Sequence, residues 1–526
     1  YRTKNENIIW HSTNTNNIDV SIDKESNIAK VSYSNNWRGS ELISFIAKDR
    51  GKVVDSCSVR FSVGKVINRV INTNMYLTKK ESPYIIEKSI TIPPEFVISA
   101  DAGVNIIMRE KTDIIVNGQL KFNGSKKNMI KIFAHDDSWG AICLDNSANK
   151  SVFNYVSISG ATYGRDSIIM NAAISGYKSD FDVLNSEFSN NLRCIYAKFG
   201  NIYVNHTIFE ETNYGEKINL QFSNAITENC RFDFTFGDND AIDYDAVING
   251  VISNNVLLGG DDDGLDIGQI NGVACKDVVL INNQIYDFGD KGISVGEGSQ
   301  NINSIHNVVV GSRMGIAVKD SSTSYIDHNT LINNTYGVTC YEKNYLEGGG
   351  IANIRNSIIS NSVIATISTD KTSNVKTSYL LKDKRNTEPI LEGLGNKNGV
   401  PNFIKNKNFD YFLGPNSYCM NNGDPSYFLD IDSSRTDIGA YEPGYFNAIL
   451  IRINLNNESL DLDVLASRKK IRELIIYNLD GNIIAKHDNL ERQEKIPISL
   501  FPQGFSFISI TDINNKREIK KIFCYL

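Results

Sequence analysis

Four segments decide the fold: Asn283-Gln-Ile-Tyr286, Asn307-Val-Val-Val310, Asn329-Thr-Leu-Ile332 and Asn356-Ser-Ile-Ile359. Each opens on asparagine and turns apolar within two or three residues. The pattern also occurs earlier, at Asn185-Ser-Glu-Phe188, Asn205-His-Thr-Ile208 and Asn255-Val-Leu-Leu258. Neighbouring copies lie about 20 to 28 residues apart, or about twice that where Asn229-Cys230 fills a rung, which is one coil of a parallel β-solenoid. Asparagine suits the position because its amide ladders with the asparagine above and tolerates a left-handed turn.

A second column runs in register with the first. It reads Ala241-Ile242-Asp243, Gly264-Leu265-Asp266, Gly292-Ile293-Ser294, Gly315-Ile316-Ala317 and Gly337-Val338-Thr339. The small residue marks a turn into a strand. The Ile, Leu or Val after it is consistently apolar and must face the core. Period-two alternation then turns Asp243, Asp266, Ser294, Ala317 and Thr339 outward. The LxxLxL signature of leucine-rich repeats is missing, and so are the 3.6-periodic runs of helical solenoids. The expected class is all-β: a right-handed parallel β-helix with a β-sandwich on either side.

Outside the coil the patterning changes. Residues 1–66 carry short alternating segments, such as Ile43-Ser-Phe-Ile-Ala-Lys-Asp49 and Cys57-Ser-Val-Arg-Phe-Ser-Val63, that predict a small antiparallel sandwich. The stretch from Asn36-Trp-Arg-Gly-Ser-Glu41 to Ala47-Lys-Asp49 resembles bacterial cadherin-like and Ig-like modules. The coil is expected over 67–445. Its first part, with Ala102-Gly-Val-Asn-Ile-Ile107 and Ile115-Val-Asn-Gly118, resembles the first rungs of secreted β-helix proteins. Leu413-Gly-Pro-Asn-Ser417 through Asp437-Ile-Gly-Ala-Tyr-Glu442 resembles the closing segment of many bacterial ones.

Residues 446–526 alternate again. Ile475-Ile-Tyr-Asn-Leu-Asp-Gly-Asn-Ile-Ile484 centres a hairpin on Asp480-Gly481, and Lys516-Arg-Glu-Ile-Lys-Lys-Ile522 is basic. This tail resembles the type A sorting domain of the Bacteroidota type 9 secretion system. Asn482 replaces that family's lysine, and Phe501-Pro502-Gln503-Gly504-Phe505 replaces its turn. The resemblance implies export through an outer-membrane translocon, delivery by a shuttle barrel, and an extracellular or cell-surface location. The start at Tyr1, with no initiator Met or apolar leader, is read as a mature start.

Composition narrows the function. A net charge of −7 argues against a nucleic-acid binder, and no apolar run approaches the roughly 20 residues a spanning helix needs. The eight cysteines form no CxxC pair and are expected to be buried thiols in the main, and the six histidines show no metal-ligand spacing.

The candidate chemistry sits in an acidic run: Asp238, Asp240, Asp243, Asp245, Asp261, Asp262, Asp263 and Asp266. The register places Asp243 beside Asp266 on neighbouring rungs, about 4.8 Å apart. Two carboxylates that close force protonation of one, or a cation between them. Asp243, Asp266, Asp263, Lys291 and Lys319 are therefore the candidate catalytic residues. Asp240, Tyr244, Asp245, Glu297 and Tyr341 are candidate ligand contacts for a sugar chain. Asp243, Asp263 and Asp266 are a candidate Ca²⁺ site. The order Asp240, Asp262-Asp263, Gly289-Asp-Lys-Gly292 and Ala317-Val-Lys319 loosely resembles the polygalacturonase motifs. Asp290-Lys291 stands there for that family's histidine and Ala317 for its arginine. A lyase would instead use Lys291 or Lys319 as base with Ca²⁺ on the aspartates, and a solvated acidic face is the bland alternative. Asp263-Gly-Leu-Asp-Ile-Gly268, Asp290-Lys-Gly-Ile-Ser-Val-Gly296 and Gly315-Ile-Ala-Val-Lys-Asp320 also resemble β-helix domains found beside CotH-like modules, a group with no activity to transfer. The balance of the sequence favours a surface-associated binding, envelope or gliding-related component, with a polysaccharide hydrolase or lyase as the alternative.

Overall fold

The computed structural model describes residues 8–441 apart from 14, 68–69, 167, 212–214, 384–391, 406–410, 415 and 428–433. Beyond them it describes seven strands between Ile451 and Cys524. The centre is a parallel β-solenoid. Among the described residues, three sheets run side by side with thirteen, fifteen and twelve strands stacked in parallel from rung to rung, and a short strand, Val273–Ala274, pairs antiparallel with Leu265–Ile270 at the edge of the third. One rung shows the order. Asn224–Glu228 lies on the first face, Arg231–Phe232 on the second and Ile242–Asp245 on the third. Among the described residues the single helical piece is a short 3₁₀ turn, Lys79–Glu81, and no helix is long and apolar enough to cross a membrane.

The core follows from the strand pattern. Inward residues stack on their equivalents one rung away, as in Phe188, Phe209 and Phe232, whose rings lie 5.2 and 4.7 Å apart and nearly parallel. Ile242, Leu265, Ile293, Ile316 and Val338 form one fully buried column, in the register the sequence predicts. The glycines before them have a steric reason. A Cβ on Gly264 would come 2.6 Å from the Gly292 carbonyl oxygen, and one on Gly315 would come 2.6 Å from that of Gly337.

The asparagine column needs correction. The seven asparagines fall in three adjacent columns. Asn205 closes a first-face strand, Asn185 and Asn356 hold left-handed corners, and Asn255, Asn283, Asn307 and Asn329 lie one place further on. These last four form the ladder. Each backbone N–H donates to the side-chain oxygen of the next rung: Asn255 to Asn283 at 3.1 Å, Asn283 to Asn307 and Asn307 to Asn329 at 2.9 Å. Each side-chain amide donates back to a carbonyl, such as Asn307 to Leu280 at 2.8 Å. Ser186, Thr207, Cys230 and Ser357 occupy the same column elsewhere. The mixed occupancy explains why counting asparagines slips by one or two places.

The segment read as closing the coil is a strap. The last strand in the three parallel sheets is Lys397–Asn398. Described residues between 411 and 441 then pack along the second face. Ala440 packs with Tyr286, Val308, Val310 and Ile332, and Ile438 packs with Ile358 and Leu381. His306 Nδ1 meets the Ala440 carbonyl at 3.0 Å, and the Tyr427 hydroxyl donates to Asp327 at 2.8 Å. Glu442 lies outside the described residues.

At the N-terminal end two small antiparallel sheets form. One joins Ile8–Ser12, Gly39–Asp49 and Lys52–Val63, and the other joins Ile18–Ile22 and Ala29–Tyr33. At the C-terminal end the seven strands form one three-stranded and one four-stranded antiparallel sheet. Ile471–Tyr477 pairs with Ile483–Leu490, while the Asp480-Gly481 turn between them, the turn at 501–503 and the terminal Tyr525-Leu526 lie outside the described residues. Among the described residues six cysteines are buried free thiols, and Cys57 is exposed.

Candidate functional site

The third face carries the acidic run. Ile242–Asp245 pairs in parallel with Leu265–Ile270, matching Asp243 with Asp266 and Asp245 with Gly268. Ile242, Tyr244, Leu265 and Ile267 point inward and are fully buried. Tyr244 is thereby removed from the ligand contacts. Its ring lies inside the coil and its hydroxyl bonds Thr227 at 2.8 Å. Alternation dictates this, because Tyr244 sits two residues from the core residue Ile242.

The outward column is a recess, not an open strip. Ser294 and Ala317 are 0% exposed although they face away from the core. Asp240, Asp243 and Asp266 each bring a carboxylate oxygen within 4.8 Å of the other two, and Asp240, Asp262 and Asp263 do the same. These are the donor sets an oxygen-seeking cation would use, and Asp240 belongs to both. The first set differs from the expected Asp243, Asp263 and Asp266 by having Asp240 in place of Asp263, because the turn before the strand folds Asp240 back toward the column.

Backbone and lysine contacts anchor the flank. Asp240 accepts from the Asp263 N–H at 3.1 Å, and Asp263 accepts from the Lys291 N–H at 2.9 Å. Lys291 Nζ donates to both Asp263 oxygens at 3.1 Å and also binds Asp290, which Arg313 meets at 3.1 Å. Lys319 is 2% exposed and lies flat along the axis: a Cβ on Gly296 would come 2.3 Å from its Cε. Tyr341 is half-buried in register with Lys319. Glu297 occupies a left-handed corner and accepts from the Gln269 N–H at 3.3 Å. Asp245 and Glu297 converge over Gly268, whose Cβ would stand 3.3 and 3.4 Å from their oxygens.

Crowding sets the electrostatics. Burial, together with Asp266 and Asp263, drives Asp240 well above the usual carboxylate range. Burial, Asp245 and Asp240 do the same to Asp243. Burial and Asp266 push Asp245 and Asp263 up to about 7, and burial lifts Asp262 to about 6. Burial works against the charge on Lys291, but Asp263 and Asp290 outweigh it and raise the ammonium above its ordinary value. Lys319 follows the same balance, with Asp266 prevailing over burial.

One polar neighbour escaped the sequence pattern. Asn219 pairs with Asp243 one rung earlier and donates to it, and its side-chain oxygen is buried without a hydrogen-bond partner. Ser294 Oγ and Asp266 Oδ1 are likewise buried and unpartnered. Asn219 was missed because Lys217 stands where the column expects a small residue. Lys217 is fully buried, and its Nζ donates to the Asp233 and Phe234 carbonyls, the latter at 3.0 Å.

No protein-family model matches the chain, and no curated protein matches it. Solved structures do. A periplasmic alginate epimerase AlgG is 12% identical, with 59% of this chain and 77% of that one covered at a TM-score of 0.29. An alginate lyase from Paenibacillus sp. str. FPU-7 is 11% identical, covering 59% and 99% at 0.30. The PL6 family alginate lyase AlyGC is 12% identical, covering 66% and 55% at 0.33. At these values the likeness extends to the coil and no further.

Proposed function

We propose that this chain is a polysaccharide-active β-solenoid protein that cleaves a glycan held along the third-face recess. One observation carries the reading: Asp240, Asp243 and Asp266 converge within 4.8 Å in a recess edged by two buried lysines. Cleaving a glycosidic bond needs one carboxyl that holds a proton and a second that attacks or activates water. Asp243 holds the proton, because burial first and then Asp245 and Asp240 oppose its ionisation. Asp266, in register beside it, is the partner carboxylate. Carboxyl groups roughly 5 Å apart suit a retaining double displacement. The lysines fit a base role poorly, since both are held as ammonium ions by Asp263, Asp290 and Asp266. Hydrolysis is therefore favoured over elimination.

The test is a reducing-end assay on acidic and neutral polysaccharides. Asp243→Asn with Asp266→Asn should lower turnover by about a thousandfold or more, the scale expected when an acid–base pair is removed. Unchanged turnover in that variant would remove the pair from the mechanism.

A second reading rests on the unpartnered oxygens of Asn219, Asp266 and Ser294 in the same column. They extend the Asp240, Asp243 and Asp266 donor set toward the six to eight oxygens that Ca²⁺ takes. Under this reading the cluster is a cation site that rigidifies the recess for binding alone. Calcium titration followed by calorimetry separates the two, since acid catalysis requires the carboxyls free.

We further read the coil as right-handed, residues 1–66 as Ig-like, and 446–526 as a type 9 sorting module that places the protein at the cell surface. The paired antiparallel sheets in the tail support the last point. Fusing 446–526 to a reporter in a bacterium with that system tests it. A reporter retained in the periplasm would refute it.

A further inference from the structure

A second feature of the third face lies upstream of the recess. At the corners that follow five successive third-face strands, the backbone takes a left-handed conformation: Asn146, Lys178, Phe199, Phe222 and Ala246 have φ between 46° and 62°. Asparagine is the commonest non-glycine occupant of such corners in this chain, because it tolerates the conformation. Phenylalanine is a poor choice twice over. It is bulky at positive φ, and at position 199 it leaves an apolar ring 43% exposed. Sparsely populated backbone under an exposed aromatic is a recurrent mark of a ligand site.

The rings form a ladder. Phe199 stacks on Phe222 with centroids 5.0 Å apart, and Tyr177 meets Phe199 edge-on at 6.0 Å. Two ammonium groups flank them. Lys178 Nζ lies 5.3 Å from the Tyr177 ring, and Lys198 Nζ lies 5.6 and 5.3 Å from the Phe199 and Phe222 rings. The ladder is continuous with the recess. Tyr177, Lys198, Gln221 and Asp245 occupy one column on successive rungs, and the Lys198 charge is felt at Asp245. Three rungs span roughly 14 Å along the axis, the reach of a few sugar residues.

We infer that Tyr177, Lys178, Lys198, Phe199 and Phe222 form an accessory polysaccharide-binding strip that leads a glycan chain along the coil axis into the acidic recess. The inference rests on the recess being the glycan site. Sugar C–H groups contact the aromatic ladder, and the two ammonium groups donate to hydroxyl or acidic substituents. The strip thereby sets a minimum chain length for tight binding.

Affinity electrophoresis of the full chain tests this, in gels containing polygalacturonate, alginate, xylan or β-glucan. The informative variant is Phe199→Asn with Phe222→Asn, since asparagine keeps the left-handed corners. A circular dichroism spectrum like the parent's confirms folding. At least one polymer should retard the parent chain, with the variant's dissociation constant at least tenfold higher. For short oligosaccharides of that polymer the two proteins should bind alike. Retardation of the parent by none of the four polymers, equal retardation of parent and variant, or equal loss on short and long chains would overturn the strip. Retardation is read without turnover. A protein that binds through the strip but cleaves nothing defeats the hydrolase reading and leaves this one standing.

Discussion

Replacing Asp245 by asparagine tests the electrostatics of the recess most directly. The carboxyl stands at about 7 against a usual 3.8, raised by burial first and then by Asp266 and Glu297. Between those values the folded chain holds a proton that the unfolded chain has released. The linkage sign follows: folding stability is fully present below the unfolded value and is lost as pH rises through the folded one. Three units at ~1.4 kcal/mol each set a ceiling of about 4 kcal/mol. Partial exposure and sharing among several carboxyls reduce this to about 2 kcal/mol. Asparagine mimics the protonated form and removes the dependence. The variant should match the parent near pH 4 and exceed it by about 2 kcal/mol at pH 8, roughly 2 to 3 °C in a coil of this size. Thermal unfolding in chelator-containing buffer across that range measures it. A difference between the two proteins that stays constant from pH 4 to 8 would refute the crowding argument.

Four other outcomes are expected. Lys217 is fully buried, and burial lowers its ammonium to about 8. The contribution of Lys217 to stability should therefore rise between about pH 8 and 10.5, so the parent should gain stability relative to Lys217→Met across that window in paired thermal-unfolding series. Asn307→Ala strips the ladder of an acceptor for the Asn283 N–H and a donor to the Leu280 carbonyl. Leaving two buried groups unpaired should cost about 2 to 4 kcal/mol by denaturant titration. Gly315→Ala drives a methyl toward the Gly337 carbonyl. It should destabilise the coil by about 1 to 3 kcal/mol. Gly272→Ala meets open space at a φ of 77°, so it should cost only the backbone strain, about 1 kcal/mol.

The sequence by itself determined the coil, its period and the third-face register. Those depend on local rules: small residue, then core residue, then outward residue, repeated at one-rung spacing. Asp243 falls opposite Asp266 for that reason. Alternation also turns Tyr244 inward, since a residue two places from a core isoleucine shares its side of the strand. Only the tertiary structure decided what surrounds the column. The burial of Ser294, Lys291 and Lys319 comes from turns and neighbouring rungs far apart in the chain. The convergence of Asp240 on Asp243 depends on how one turn folds back, which periodicity does not encode. The strap over the second face is likewise non-local, joining Ala440 to Thr330 and His306. Repetition makes a solenoid's skeleton legible from sequence, because every rung repeats the same local problem. Its recess arises where the rungs differ, and there the contacts are settled in three dimensions.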